Sequence, residues 1–274
     1  MSLPPGAADA RRVGGGDINE AWRVTLPDGR LAFVKTRSDA APGEYAAEAR
    51  GLRWLAEPGA LRTPRVLEVA VEYLVLEWVQ AGRPSAEGAE ELGRGLALTH
   101  AAGAPAFGEE ASAGFGSLRL PNDPAPDWPT FYAERRLLPL ACAARERGVL
   151  SPAGARAVEG VCGRLSELAG PAEPPARLHG DLWGGNVMGD AEGRPWLIDP
   201  SAYGGHREVD LAMLRLFGAP DERVFSAYAE VAPLAEGWEE RVQLWQLLPL
   251  LVHAALFGGS YQGAAERVAR RYAG

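Results

Sequence analysis

The residues most capable of chemistry lie in one stretch, Leu178-His179-Gly180-Asp181-Leu182-Trp183-Gly184-Gly185-Asn186, followed by the apolar run Trp196-Leu197-Ile198 and then Asp199. Two carboxylates and a carboxamide fall within nineteen residues, punctuated by glycines. Hard cations such as magnesium take oxygen ligands, and glycines let backbone N–H groups approach an anion, so the set suits magnesium and a phosphate. Asp, Asn and Gly also build ordinary turns, where their side chains cap the local backbone. Any one of them alone therefore reads as structural. A turn, however, needs neither a second aspartate closing a hydrophobic strand nor a lysine far upstream.

Spacing separates the two readings. Asp181 to Asn186 is five residues and Asp181 to Asp199 is eighteen, the layout of a kinase catalytic loop followed by a strand and a metal-binding aspartate. Such a loop requires a base for the acceptor hydroxyl, an amide oxygen for Mg²⁺ and a carboxylate between Mg²⁺ and the phosphates. Asp181, Asn186 and Asp199 supply these in order.

Those groups need elements to hold them. Gly14-Gly15-Gly16-Asp17 precedes Ala21-Trp22-Arg23-Val24-Thr25-Leu26, which alternates as a strand does, and after the turn Pro27-Asp28-Gly29-Arg30 comes Leu31-Ala32-Phe33-Val34-Lys35-Thr36. A glycine hairpin through Gly15 and Gly16 can fold over a triphosphate, although in so Gly-rich a chain it can equally be a plain turn. Lys35 matches the strand lysine that meets the α/β-phosphates. A helix over Glu44–Leu55 offers Glu48 as its partner, with Glu44 one turn earlier as competitor and solvation of both as the bland alternative. Val69–Val79 reads as two further strands, and Gln80-Ala81-Gly82-Arg83-Pro84 breaks the pattern. The expected division is a nucleotide-binding lobe, 1–79, and a catalytic and substrate-binding lobe, 80–274. In a linker of this kind the Glu77 C=O and Val79 N–H are the groups placed for adenine.

Beyond the linker, Glu87–His100 reads as a helix with His100 at its end, a place where histidine caps the last carbonyls. Residues 114–129 are rich in Gly, Pro, Asn and Asp and are expected to be largely loop, of a length that is often functional. A helix resumes over Thr130–Arg147, with Arg135 and Arg136 read as solvated charge. Cys142 and Cys162 show no metal spacing and read as small buried residues. An apolar share of 47% fills a sizeable core, and a net charge of −8 without a basic block excludes the footprint of a nucleic-acid binder. Neither an eighteen-residue apolar run nor a signal-peptide pattern is present, so no membrane contact and a cytoplasmic location are expected.

Taken together, His179-Gly180-Asp181-Leu182-Trp183-Gly184-Gly185-Asn186, Ile198-Asp199-Pro200 and Tyr203-Gly204-Gly205-His206-Arg207-Glu208-Val209-Asp210-Leu211-Ala212-Met213 resemble the fructosamine kinase family. The glycine loop, Phe33-Val34-Lys35, Glu48, Trp128–Arg136 and Leu256–Tyr261 agree, so the resemblance runs over most of the chain. It implies an α+β, bilobal protein-kinase-like fold: a small antiparallel-sheet lobe with one helix, then a larger, mainly helical lobe. It further implies ATP- and Mg²⁺-dependent phosphorylation of a ketosamine, free or protein-bound, at its 3-hydroxyl, giving an unstable product that releases the amine, a deglycation-type repair. Ribulosamine, erythrulosamine and fructosamine adducts are all candidate acceptors. In this reading Trp183 and His179 face the substrate, Trp183 as an apolar wall with simple packing as its rival, and Asp210 braces the catalytic loop. Many relatives carry a cysteine after the loop glycines where this chain has Asp17. A loop-disulfide dimer is therefore not expected, a monomer is, and Asp17 should turn from the phosphates toward backbone N–H groups. The alternatives are another small-molecule kinase of the same fold, of aminoglycoside, choline or homoserine type, or a nucleotide-binding pseudoenzyme.

Overall fold

Alternating apolar and polar residues put the first part of the chain into strands. In the computed structural model, which describes residues 3–14, 19–109, 113–115, 118–217 and 220–274, β1 (Ala8–Arg12), β2 (Glu20–Thr25), β3 (Leu31–Thr36), β4 (Val66–Val69) and β5 (Tyr73–Glu77) form an antiparallel sheet in the order β1-β2-β3-β5-β4. Helix α1 (Glu44–Ala56) covers one face. Tyr45, Ala49 and Leu52, at helical spacing, pack on Leu74 and Leu76, while Val24, Ala32, Val34 and Val75 fill the opposite face. Alternation along β3 then gives Lys35 the same side as Phe33, the side that α1 covers.

The chain enters the second lobe through β6 (Ala81–Gly82), which pairs with β10 (Val187–Asp190); β11 (Pro195–Leu197) pairs with the other edge of β10. Helix α2 (Ala86–Ala101) starts where the Ser85 side chain accepts from Gly88 N. A hairpin, β7 (Ala113–Phe115) and β8 (Leu118–Leu120), precedes α3 (Trp128–Tyr132), which continues through a wide π turn at Ala133–Leu137 into α4 (Leu138–Glu146). Then come α5 (Pro152–Leu168), β9 (Ala176–Leu178) paired with β12 (Tyr203–Gly205), α6 (Glu208–Leu214), α7 (Arg223–Val231), α8 (Trp238–Phe257) and α9 (Ser260–Ala273). Phe131, Leu137, Leu140, Val158, Val161, Trp245 and Leu251 are buried together in the main core, and Leu92, Leu96, Leu211 and Tyr228 form a second core. The architecture is the expected bilobal α+β one. Among the described residues no helix is long and apolar enough to cross a membrane.

Four sequence expectations change. The segment expected as loop over 114–129 carries β8 and most of β7, paired antiparallel, with Leu118 and Leu120 turned into the core. His100 does not cap its helix: it is buried, with Nδ1 2.9 Å from the Tyr228 hydroxyl and Nε2 3.3 Å from Asp210. Arg136 is not solvated but 0% exposed, with its guanidinium 4.4 Å and 4.3 Å from the ring centroids of Phe131 and Tyr203. Cys142 is exposed and Cys162 only partly buried, because alanine-rich helices leave small side chains on either face.

Candidate active site

Lys35 comes to the site because β3 ends beneath α1. Its Nζ lies 2.9 Å from Glu48 Oε2 and 2.9 Å from Asp199 Oδ1, so one ammonium joins both lobes. Burial pushes the lysine pKa down, but the two carboxylates outweigh it and raise it above the ordinary lysine range, so Lys35 stays charged. Glu48 lies on the buried apolar face of α1, three residues after Tyr45 and four before Leu52. Glu44, the competitor, is engaged by Arg37 at 2.8 Å and Arg119 at 2.7 Å instead.

Asp181 and Asn186 meet across a tight loop closed by the 3₁₀ turn Gly184–Asn186. Asn186 Nδ2 donates to Asp181 O at 2.8 Å and to Asp181 Oδ2 at 3.1 Å, which leaves its oxygen as the acceptor end. Burial raises the Asp181 carboxyl to about 7; the Asn186 amide opposes this, while Asp199 and Asp210 add to it. Asp199 itself has φ 54°, a left-handed backbone that few non-glycine residues adopt and that carries strain of order 1 kcal/mol.

The loop backbone is held from behind. Asp210, fully buried near the start of α6, accepts from His179 N at 2.7 Å and Gly180 N at 3.0 Å, and His100 Nε2 donates to it as well. Gly180 has φ +81°, and a Cβ there would sit 2.0 Å from Ser201 O, so this position admits only glycine. The turn carrying Asp210 is fixed in turn by Glu208, whose carboxylate accepts from Arg241 NH2 at 2.6 Å, Arg241 Nε at 2.9 Å and Trp245 Nε1 at 2.8 Å.

His179 stands differently from its sequence reading. Its ring is buried, Nε2 donates to Ile198 O at 2.9 Å, and Nδ1 accepts from Asp181 N at 3.3 Å. Both ring nitrogens are thus engaged inside the protein, and the ring ties the Asp181 loop to the residue before Asp199. Trp183 is 39% exposed, meets Phe217 edge-on with centroids 6.4 Å apart, and lies over Gly185, where a Cβ would be 2.2 Å from the indole. Phe217 continues to His253 at 4.5 Å and Tyr261 at 6.2 Å, an aromatic surface beside the loop.

At the linker, Glu77 spends its side chain on Arg65, leaving only main-chain groups there for a base, and Val79 N–H finds no acceptor among the described residues. Gly15, Gly16 and Asp17 lie outside the described residues. Sequence reasoning missed the supporting contacts of His100, Arg136 and Glu208, and missed Arg241 altogether. The first two carry no signal beyond their type, and the Glu208–Arg241 pair joins positions thirty-three residues apart. The donor set is compatible with magnesium. Among the described residues no cluster of three or more His, Cys, Asp or Glu could enclose a metal, and magnesium ordinarily takes one or two protein oxygens with phosphates and water completing its shell.

The chain matches the family model described as fructosamine kinase over residues 5–273. It is 43% identical over 254 residues to the "probable ketoamine kinase" of Thermus thermophilus, covering 92% of this chain and 90% of that one. With the chloroplastic protein-ribulosamine 3-kinase of Arabidopsis thaliana it shares 33% over 270 residues, 95% of this chain and 81% of the relative. A solved structure of a provisionally named fructosamine-3-kinase from Thermobifida fusca superposes with a TM-score of 0.91 at 46% identity, over 97% of this chain and 93% of the other. A choline kinase from Streptococcus pneumoniae shares the fold alone, with TM-score 0.66 and 15% identity over 98% and 94% of the two chains.

Proposed function

The chain belongs to the fructosamine kinase family, and on that premise we propose that it is an ATP-dependent kinase that phosphorylates the 3-hydroxyl of a ketosamine, residues 1–79 binding the nucleotide and 80–274 supplying the catalytic and sugar-binding groups. The observation that carries this reading is the single ammonium of Lys35, 2.9 Å from both Glu48 and Asp199, which faces the lobe that carries Asp181 and Asn186. A net charge of −8 makes such a local cation necessary for a triphosphate.

In this mechanism Lys35, oriented by Glu48, neutralises the α/β-phosphates, and the Glu77 C=O and Val79 N–H bind adenine. Magnesium, held by Asn186 and Asp199, would spread the charge of the phosphates. Asp181 accepts the proton of the sugar hydroxyl as that oxygen attacks in line. A carboxylate raised to about 7 is a better base near neutral pH than an ordinary aspartate. Trp183 and Phe217 form the apolar wall for the sugar or its amine, and Asp210 and His179 hold the loop in place. Glycated amines bearing ribulose, erythrulose or fructose are the proposed acceptors, free or on proteins, which makes the activity one of deglycation.

The direct test is Asp181→Asn. Loss of the general base should lower turnover roughly 10²–10⁴-fold while ATP binding stays nearly intact. Unchanged turnover would remove Asp181 from that role.

A further inference from the structure

The β7–β8 hairpin takes no part in the chemistry above, yet it reaches from the helical lobe to α1. Leu118 and Leu120 are 7% and 5% exposed and belong to the main core. Arg119 between them points the other way, as strand alternation requires, and its NH2 donates to Glu44 Oε2 at 2.7 Å. Glu44 is the first residue of α1, and the same oxygen accepts from Arg37 NH2 at 2.8 Å and from Ala41 N at 3.2 Å. Arg37 lies two residues beyond Lys35. The end of β3, the start of α1 and the hairpin thus converge on one carboxylate, one helical turn from Glu48.

The base of the hairpin is anchored just as closely. Arg136 donates to Pro121 O at 2.7 Å and to Asn122 Oδ1 at 2.6 Å, immediately after β8, and is itself packed against the rings of Phe131 and Tyr203. Tyr203 pairs with Leu178, at the mouth of the catalytic loop. A closed ring of contacts therefore runs from that loop through Tyr203, Arg136, β8 and Glu44 into α1, and returns through Glu48 and Lys35 to Asp199. The other end of α1 is fixed separately: Arg177 donates to Trp54 O at 2.5 Å and to Glu57 at 2.8 Å.

We propose that the β7–β8 hairpin is a strap that holds the N-terminal end of α1 against the helical lobe, and that Arg119 is a positioning residue for the Lys35–Glu48 pair. Arg177 holds the far end of α1 and Gly51 packs its middle on Pro200 and Ala202, so the first turns, which carry Glu44 and Glu48, are the part the hairpin secures. Arg119 touches neither nucleotide nor sugar; it acts through Glu44 on the placement of Glu48. The bland alternative is a partly exposed surface ion pair, which contributes little. Arg119 and Glu44 are 38% and 14% exposed, so Glu44 at least has little solvent to replace a lost partner.

The proposal rests on reading Lys35 and Glu48 as the phosphate-binding pair, and the test separates the two. Turnover of a ketosamine with Mg-ATP would be compared for the parent, Arg119→Ala, Arg119→Lys, Glu48→Gln and the Arg119→Ala/Glu48→Gln double variant, with amide hydrogen exchange followed over residues 44–56 in nucleotide-free protein. Misplacement of about 1 Å can cost up to roughly a hundredfold, so Arg119→Ala should lower kcat about tenfold with the sugar KM within about twofold, and Arg119→Lys should recover much of the loss. In the double variant the loss should be no greater than in Glu48→Gln alone, because the arginine works through that carboxylate. Exchange over the first turns of α1 should quicken in Arg119→Ala. Fold-losses that multiply, or unaltered exchange, would overturn the strap. If the parent phosphorylated no ketosamine the functional reading would fail, and the exchange comparison would still decide whether the hairpin holds α1.

Discussion

Replacing Asp210 by asparagine should damage the site without touching any reacting group. The carboxylate accepts from His179 N at 2.7 Å, Gly180 N at 3.0 Å and His100 Nε2 at 3.3 Å, all buried. Asparagine has the same shape but presents one oxygen and one NH2 where the carboxylate presents two oxygens. The better orientation puts its oxygen toward His179 and His100, which leaves the Gly180 N–H facing an NH2. A buried donor left without an acceptor costs about 1–3 kcal/mol, and the loss of a charged acceptor adds to it, so about 2–3 kcal/mol is expected. At 2–4 °C per kcal/mol for a chain of this order of size, Tm should fall by roughly 5–10 °C. Gly180 immediately precedes Asp181, so kcat should fall about ten- to a hundredfold through misalignment, while the KM for ATP, which the proposed mechanism assigns to Lys35 and the linker, should stay within about twofold. Calorimetry together with steady-state kinetics on a ketosamine measures both. A variant with parental kcat, or one whose loss lies only in the ATP KM, would refute the bracing argument.

Two further outcomes follow from the same structure. Gly185→Ala should behave like Trp183→Ala, because a Cβ at 2.2 Å would drive the indole off the loop; both should raise the sugar KM about tenfold with the ATP KM unaltered, and an unchanged sugar KM in both would make Trp183 a packing residue. His179, His206 and His253 all have pKa values lowered chiefly by burial, so below pH about 6.5 the unfolded chain takes up protons that the fold resists. Stability contributed by these rings should therefore be fully present above that pH and decline on acidification. His253→Gln should flatten part of the slope of Tm between pH 7.5 and 5.5, and a slope identical to that of the parent would contradict the assignment.

The two lobes, the hydrophobic faces and the juxtaposition of Asp181 with Asn186 were legible because they rest on local periodicity and short spacing. Lys35 and Glu48 were legible for a related reason: strand alternation and helical spacing each fix a face, and two apolar faces packed together bring both residues inward. What escaped the sequence depends on long-range packing. Arg135 and Arg136 are identical in type and adjacent, yet only the fold shows that one of them is enclosed by Phe131 and Tyr203. The composition of residues 114–129 signals a loop, but Leu118 and Leu120 find a core supplied by distant helices. His179 reads as a substrate contact from its motif, while the carbonyl that takes its Nε2 belongs to Ile198, across the site.

The central claim, transfer of phosphate to a ketosamine, is met most directly by incubating the protein with Mg-ATP and separate ribulose-lysine, erythrulose-lysine, fructose-lysine, aminoglycoside and choline acceptors, and locating the phosphate by ³¹P NMR. The proposed function predicts phosphate on the 3-hydroxyl of one or more ketosamines. Transfer to an aminoglycoside or to choline alone, with every ketosamine left unmodified, would contradict the account.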